Sequence, residues 1–296
     1  MHKNIVIIGQ GEIGKAIMFL LSVCEKDLSL ECWDVDVHLC PDRKPLARII
    51  PNADVLFLCI PSWAMRSAAR KIRSYLRRRT IIVLISKGLD RSSGKTVDEL
   101  IDELFSILQP TVLLSGPMLA EEIMEGKAAA AVAASVRRRS RETVTDLFRG
   151  TALRLTPIAD VRGAALCGIL KNIYAIGFGA AQAMHPGDNF RGLYVQRTLE
   201  EMERVVVKLK GKRKTVRSLA GVGDLVATGF SKHSKNHEYG KDLALKGEAH
   251  FDCEGSVSLD VMKKMIGPYA KTLPLFMTIC SVVHHKRPAE NILEIS

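Results

Sequence analysis

Residues 5–14 read Ile5-Val6-Ile7-Ile8-Gly9-Gln10-Gly11-Glu12-Ile13-Gly14, and helical spacing then runs from Gly14 to Cys24. A short apolar run, a G-x-G-x-x-G loop and a helix in that order constrain the chain more than any other feature it has. Each glycine has its own task. Gly9 allows the tight turn, Gly11 lets the backbone approach a pyrophosphate, and Gly14 lets the helix pack closely on the strand. The helix N-terminus favours the phosphate charge. The spacing predicts a dinucleotide-binding unit in which Gly9, Gly11, Glu12, Ile13 and Gly14 contact the cofactor.

The first half of the chain repeats the pattern. Ile5–Ile8, Leu28–Trp33, Asp54–Ile60, Ile81–Ile85, Thr111–Leu114 and Ala128–Ala133 have strand length and composition, several of them apolar throughout, as strands are in a parallel sheet covered on both faces. Segments of helical spacing lie between them, at Gly14–Cys24, Ala64–Leu76 and Thr96–Leu108. After about Pro157 the strand signals fade, and Gly163–Met184, Leu193–Leu209 and Val257–Met265 read as helices. The expected class is α/β: an N-terminal Rossmann doubly wound sheet over residues 1–158, then a C-terminal all-α domain over 159–296. A chain of 296 residues, 47% hydrophobic, can bury cores of that size.

Composition narrows the classes of partner. The net charge of +11 suits nucleic acid, an acidic membrane surface or a phosphorylated small molecule. The basic runs at 70–79, 137–141 and 208–214 have few aromatics and no nucleic-acid motif, so they read as solvated surface and no nucleic-acid partner is expected. The seven cysteines are scattered, odd in number and without a C-x-x-C pair, which argues against a disulfide framework or a metal site and predicts buried thiols. The first residues lack the pattern of a secretory signal, so a cytoplasmic protein is expected. Gly163–Met184 is long enough to span a bilayer, but Lys171 and Asn172 near its middle predict a helix buried in protein instead.

That lysine is the most informative residue of the second half. An amine inside an apolar helix needs an acidic partner or a lowered pKa, and either condition suits a general acid/base. Further on, Leu219-Ala220-Gly221-Val222-Gly223-Asp224-Leu225-Val226-Ala227-Thr228 sets an acid among glycines. Ser231-Lys232-His233-Ser234-Lys235-Asn236 then reads as a polar, basic loop with donors for phosphate oxygens. In the first half, Asp34 falls twenty positions after Gly14, where a carboxylate accepts from ribose hydroxyls and repels a 2′-phosphate, which favours NAD over NADP. Lys87-Gly88 and Ser115-Gly116-Pro117 follow strands, at the ends where open α/β sheets bind ligands.

Together these residues resemble the NAD(P)-dependent glycerol-3-phosphate dehydrogenases of the prokaryotic type. The resemblance runs from the first strand to about Leu293. Besides the glycine loop it includes Ile60-Pro61-Ser62, Ser86-Lys87-Gly88-Leu89, Leu114-Ser115-Gly116-Pro117 with Ala120-Glu121-Glu122, and Leu170-Lys171-Asn172-Ile173-Tyr174-Ala175-Ile176. It continues through Gly187-Asp188-Asn189, Arg197 with Glu201-Met202, Gly221-Val222-Gly223-Asp224-Leu225 with Thr228, Ser234-Lys235-Asn236 with Gly240, and Glu254-Gly255.

The resemblance implies reversible hydride transfer between NAD(P)H and dihydroxyacetone phosphate, giving sn-glycerol 3-phosphate for glycerophospholipid synthesis. It makes Lys171 the catalytic lysine, with Asp224, Lys87 and Asn172 orienting and tuning it. Lys87, Gly116, Met118, Lys171, Asp224, Thr228, Ser234, Lys235 and Asn236 are then expected around the phosphorylated substrate. Lys87, Ala120, Lys235 and Glu254 join the glycine loop and Asp34 as cofactor contacts, and the family expectation for assembly is a homodimer.

Three departures accompany the resemblance. Lys235 stands where the family has arginine, exchanging a bidentate phosphate fork for a point charge. Met118 replaces a small residue or threonine, and the stretch between Trp33 and Asp54 is shorter than the family's. Two other readings stay open at this stage: a related Rossmann reductase of another small hydroxy- or keto-acid, and a non-catalytic nucleotide-binding homologue.

Overall fold

The structure is a computed structural model that describes residues 2–90, 92–105, 108–231 and 234–294. The chain divides into two compact units, one of Met1–Asp90 with Lys95–Val161 and the other of Arg91–Gly94 with Arg162–Ser296.

The first unit carries seven strands: β1 (Lys3–Ile8), β2 (Leu28–Trp33), β3 (Val55–Leu58), β4 (Ile81–Leu84), β5 (Thr111–Ser115), β6 (Ala129–Ala134) and β7 (Leu153–Ile158). They form one sheet in the order β2-β1-β3-β4-β5-β6-β7. From β1 the chain moves outward to β2 and then returns to the other side of β1 for β3, so the order reverses at the carboxyl ends of β1 and β3. That reversal is where doubly wound sheets bind ligands. The doubly wound sheet expected from the sequence is present, parallel throughout except that β5 and β6 run antiparallel.

Strands β1, β3 and β4 are apolar on both faces because both faces are buried. Ile5, Ile7, Val55, Phe57, Ile81 and Val83 join a core with Ala16, Ile17, Leu20 and Leu21 of helix α1 (Glu12–Ser22). The other helices of this unit are α2 (Leu46–Ile49), α3 (Met65–Ile72), α4 (Val97–Leu104), α5 (Ala120–Met124) and α6 (Arg138–Leu147). Part of the helix expected over Thr96–Leu108 falls on Ser106 and Ile107, outside the described residues. The sequence reading passed over β7, whose Leu-Arg-Leu-Thr-Pro-Ile has Pro157 in it. An edge strand tolerates that proline, and β7 pairs with β6 alone.

The second unit is helical: α7 (Val161–Ala183), α8 (Asp188–Lys208), α9 (Arg213–Val216), α10 (Asp224–Gly229), α11 (Lys235–Lys246), α12 (Glu254–Ile266) and α13 (Pro274–Val283). Helix α7 is long and apolar enough to cross a membrane, but every residue of that apolar stretch is buried in the protein. Its glycines explain how neighbours approach it so closely. A Cβ on Gly177 would lie 2.0 Å from the Tyr194 hydroxyl, and one on Gly179 would lie 1.9 Å from the His237 carbonyl oxygen. A buried carboxylate completes the packing: Glu201 of α8 accepts from the Tyr174 hydroxyl and from the Leu275 and Phe276 N–H groups, each at 2.8 Å. Those two N–H groups open α13 and have no partner within the helix, so Glu201 serves as its cap.

Candidate active site and nucleotide loop

In the first unit the loop at the carboxyl end of β1 has the geometry its glycines require. Gly9 sits at φ +94°, and a Cβ there would come within 2.4 Å of the Cys59 carbonyl oxygen beyond β3. A Cβ on Gly14 would lie 1.8 Å from the Gly9 carbonyl oxygen. Gly11 differs from both: among the described residues nothing lies within 4 Å of where its Cβ would be, and it caps α1. The loop is therefore closed below Gly9 and Gly14 and open above Gly11, with Glu12 and Ile13 forming the first helical residues. Gln10 is buried, and its Nε2 meets no acceptor among the described residues. An open backbone cradle, an uncommitted buried amide and a helix N-terminus fit a nucleotide pyrophosphate.

Asp34 follows β2 as expected, but its carboxylate has a local task. One oxygen accepts from the Gln10 N–H at 2.5 Å and the other from the Asp36 N–H at 2.8 Å, with the residue only 7% exposed. It braces the glycine loop, where the sequence alone offered ribose hydroxyls as its partners. Arg43 closes the shortened segment after β2 by donating to the Asp34 and Val35 carbonyls, and its guanidinium lies 5.1 Å from the centre of the Trp33 ring.

Lys87 and Gly116 meet because β4 and β5 are adjacent and parallel: the Lys87 ammonium donates to the Gly116 carbonyl at 2.9 Å. Gly116 has no room for a side chain, since a Cβ would lie 2.5 Å from the Ala131 Cα. Two further expected contact residues pack with the core. Met118 and Ala120 are buried members of this unit's apolar core, where a long thioether and a small methyl fill space.

In the second unit, Lys171 of α7 is buried at 7% exposure. Its ammonium donates to the Thr228 hydroxyl at 2.6 Å and lies 3.2 Å from the Asp224 carboxylate. The Thr228 hydroxyl in turn donates to Asp224 at 3.4 Å. Of the two conditions open for a buried lysine, the fold supplies the acidic partner. Asp224 and Thr228 share one face of α10 because they are four residues apart. The glycines ahead of that acid form a π-helical turn, Leu219–Gly223, running directly into α10. It needs its glycine, since a Cβ on Gly221 would lie 2.0 Å from the Val216 carbonyl oxygen.

Asn172, beside the lysine, accepts from the Asn236 amide at 3.1 Å, and Asn236 accepts from the Gly255 N–H at 2.7 Å. A Cβ on Gly255 would stand 2.4 Å from the Asn172 carbonyl oxygen, so the glycine is what lets α12 approach α7. Gly255 was legible only as part of the Glu254-Gly255 match, with no task of its own. Of the polar run expected as a loop, Lys235 and Asn236 begin α11, with the Ser234 hydroxyl accepting from the His237 N–H at 3.3 Å as its cap. Lys232 and His233 lie outside the described residues. Lys235 and Glu254 are exposed first residues of α11 and α12.

Comparison with known proteins agrees with both halves. Residues 34–141 match the family described as NAD-dependent glycerol-3-phosphate dehydrogenase N-terminus, and residues 160–294 match its C-terminus. The chain is 32% identical over 254 residues to glycerol-3-phosphate dehydrogenase (NAD(P)+) 2 of Sphingopyxis alaskensis, covering 83% of this chain and 76% of that one. It is 31% identical over 260 residues to glycerol-3-phosphate dehydrogenase (NAD(P)+) of Clostridium acetobutylicum, covering 80% and 77%. In fold it resembles the solved glycerol-3-phosphate dehydrogenase of Coxiella burnetii, with a TM-score of 0.83 at 24% identity over 99% of this chain and 98% of that one. The chain belongs to the NAD-dependent glycerol-3-phosphate dehydrogenase family.

Proposed function

We propose that this protein is an NAD(P)-dependent oxidoreductase that reversibly reduces dihydroxyacetone phosphate to sn-glycerol 3-phosphate. The observation that carries the reading is the buried ammonium of Lys171, held 2.6 Å from Thr228 and 3.2 Å from Asp224 in a member of this family. When bound, the nicotinamide supplies the hydride that reduces the ketone carbon. In the reductive direction Lys171 polarises the carbonyl and donates its proton to the oxygen as negative charge develops there. Asp224 stabilises the ammonium form, and Thr228 fixes the direction in which the ammonium points. In the oxidative direction the neutral amine accepts the hydroxyl proton. Asn172 and Asn236 bind each other and so position the helices that carry the lysine and the start of α11. Lys235 and the first N–H groups of α11 suit a phosphate, by point charge and helix terminus.

The pyrophosphate would rest on the loop of Gly9, Gly11 and Gly14. NADH is the better reductant in this reading, because the Asp34 carboxylate lies beside the loop while one Arg43 nitrogen is committed to backbone carbonyls. The product would feed glycerophospholipid synthesis, in the cytoplasm, from a homodimer. That α7 is buried in the protein supports a location off the membrane.

The direct test is to follow NADH and NADPH oxidation by the purified protein with dihydroxyacetone phosphate. Turnover with either nucleotide is expected, and none with both would overturn the reading. A higher kcat/KM with NADPH would overturn the cofactor ranking, and sedimentation at the single-chain mass of 32.6 kDa would overturn the dimer. Cell fractionation would overturn the location if the protein pelleted with membranes. Depletion that left the cellular glycerophospholipid level unchanged would overturn the pathway assignment.

A further inference from the structure

Cys32, in β2, and Cys40, in the segment that follows, bring their sulfur atoms to 2.6 Å of each other. Ordinary van der Waals contact is about 3.5–4.0 Å even between carbon atoms, and a disulfide bond measures about 2.05 Å. The two thiols therefore stand nearer to bonding distance than to contact distance. Nothing in the sequence spacing marks them as a pair.

The segment between them is already turned by its own hydrogen bonds. The Leu39 N–H donates to the Asp36 carbonyl at 3.2 Å, the Cys40 N–H to the Val37 carbonyl at 3.3 Å, and the Arg43 N–H to the Cys40 carbonyl at 3.3 Å. The Arg43 guanidinium then ties the segment to the Asp34 and Val35 carbonyls. Closing a bond between the sulfurs thus requires a small approach and no refolding. The two thiols differ in reach: Cys32 is partly exposed and Cys40 is buried. Burial, reinforced by the contact with Cys32, pushes the Cys40 thiol up to about 12, so it stays protonated until its partner has reacted.

We propose that Cys32 and Cys40 are a redox-modification site, forming an intramolecular disulfide by exchange with a low-molecular-weight disulfide and pinning the segment that carries Arg43. The Cys32 thiolate attacks one sulfur of the small disulfide, forming a mixed disulfide and releasing one small thiolate. The Cys40 proton passes to the small thiolate already released, and the Cys40 thiolate attacks the Cys32 sulfur, expelling the second small thiolate, which solvent protonates. Two protein thiols and one small disulfide become one protein disulfide and two small thiols, and an added dithiol reverses the exchange. The assignment is independent of the substrate, because it uses neither Lys171 nor the glycine loop. It fits a compartment in which disulfides are transient and serve as redox sensors.

The test uses the reduced full-length protein and oxidised glutathione, with free thiols alkylated under denaturing conditions and mapped by mass spectrometry. The expected result is loss of two alkylatable thiols, recovery of the Cys32 and Cys40 peptides as one linked species, and return of both thiols with dithiothreitol. Oxidation should also raise the thermal midpoint of the wild type and leave those of Cys32→Ser and Cys40→Ser unchanged. Recovery of both cysteines alkylated, or each carrying glutathione, overturns the proposal, as does an equal midpoint shift in the wild type and Cys40→Ser. If the variants fail to fold, the mapping on the wild type decides alone.

Discussion

The Lys171 ammonium lies 3.2 Å from the Asp224 carboxylate, with 9% and 3% of the two side chains exposed. Removing one partner of such a pair strands the other charge in a medium that solvates it poorly, which typically costs about 3–5 kcal/mol. Lys171→Met and Asp224→Asn should each destabilise the protein on that order, while the double variant should lose clearly less than the sum. Urea denaturation of the four proteins checks this, and strict additivity would show that the charges do not interact.

Thr228 accepts a hydrogen bond from the Lys171 ammonium at 2.6 Å and has a four-residue relation to Asp224 on α10. Thr228→Val keeps the shape and removes the acceptor. A hydrogen bond to a charged group contributes about 1.5–3 kcal/mol, so kcat should fall about tenfold to a hundredfold with KM little changed, and Thr228→Ser should restore most of it. Steady-state kinetics of the two variants decide, and a Val variant as active as the wild type would remove Thr228 from the machinery.

Gly11 and Gly14 sit three residues apart in the same loop yet should respond in opposite ways to alanine. Above Gly11 there is open space, whereas a Cβ on Gly14 meets the Gly9 carbonyl oxygen at 1.8 Å. Gly11→Ala should keep the wild-type thermal midpoint and weaken nucleotide binding, read by quenching of protein fluorescence. Gly14→Ala should lower stability by at least the about 1–3 kcal/mol typical of overpacking. Equal midpoints for the two variants would contradict the loop geometry.

Burial holds the Glu201 carboxyl above the usual range, against the hydrogen bonds from Tyr174, Phe276 and Leu275 that pull it down. A carboxyl raised on folding contributes stability that is fully present below its unfolded pKa of about 4.3 and is lost as pH rises through the folded value. Glu201→Gln does not titrate and turns an amide donor toward one of the backbone N–H groups. The wild type should therefore be more stable than this variant at acid pH, by an amount that shrinks as pH rises through that window. Chemical denaturation across pH 4–8 measures it, and a difference that grows with pH would reverse the assignment.

Much of this was legible in the chain because it depends on local spacing. The glycine loop, six of the strands and the buried lysine follow from periodicity and from residues that have few alternatives, such as Gly9 at positive φ. What escaped depends on partners far away in sequence. Strand β7 is hidden by Pro157, which only the knowledge that β7 is an edge makes acceptable. Asp34 could be placed at the end of β2, but that its oxygens are taken by Gln10 and Asp36 depends on how the loop closes. Met118 is placed at the substrate by the family match, and its packing with the apolar core depends on residues distant in sequence. Lys235 and Asn236 read as the end of a polar loop although Ser234 is a sound capping residue, since the polar run ahead of them hides the helix start.

The central claim is that Lys171 is the proton donor to the developing alkoxide, and its most direct test is single-turnover reduction of dihydroxyacetone phosphate by Lys171→Ala. Nucleotide binding, measured on the same sample, establishes that the variant is folded. General acid catalysis of this kind contributes about 10²–10⁴-fold, so a loss of at least a hundredfold in rate with nucleotide affinity retained is the result predicted here. A folded variant that binds nucleotide and reduces the ketone at the wild-type rate would contradict it.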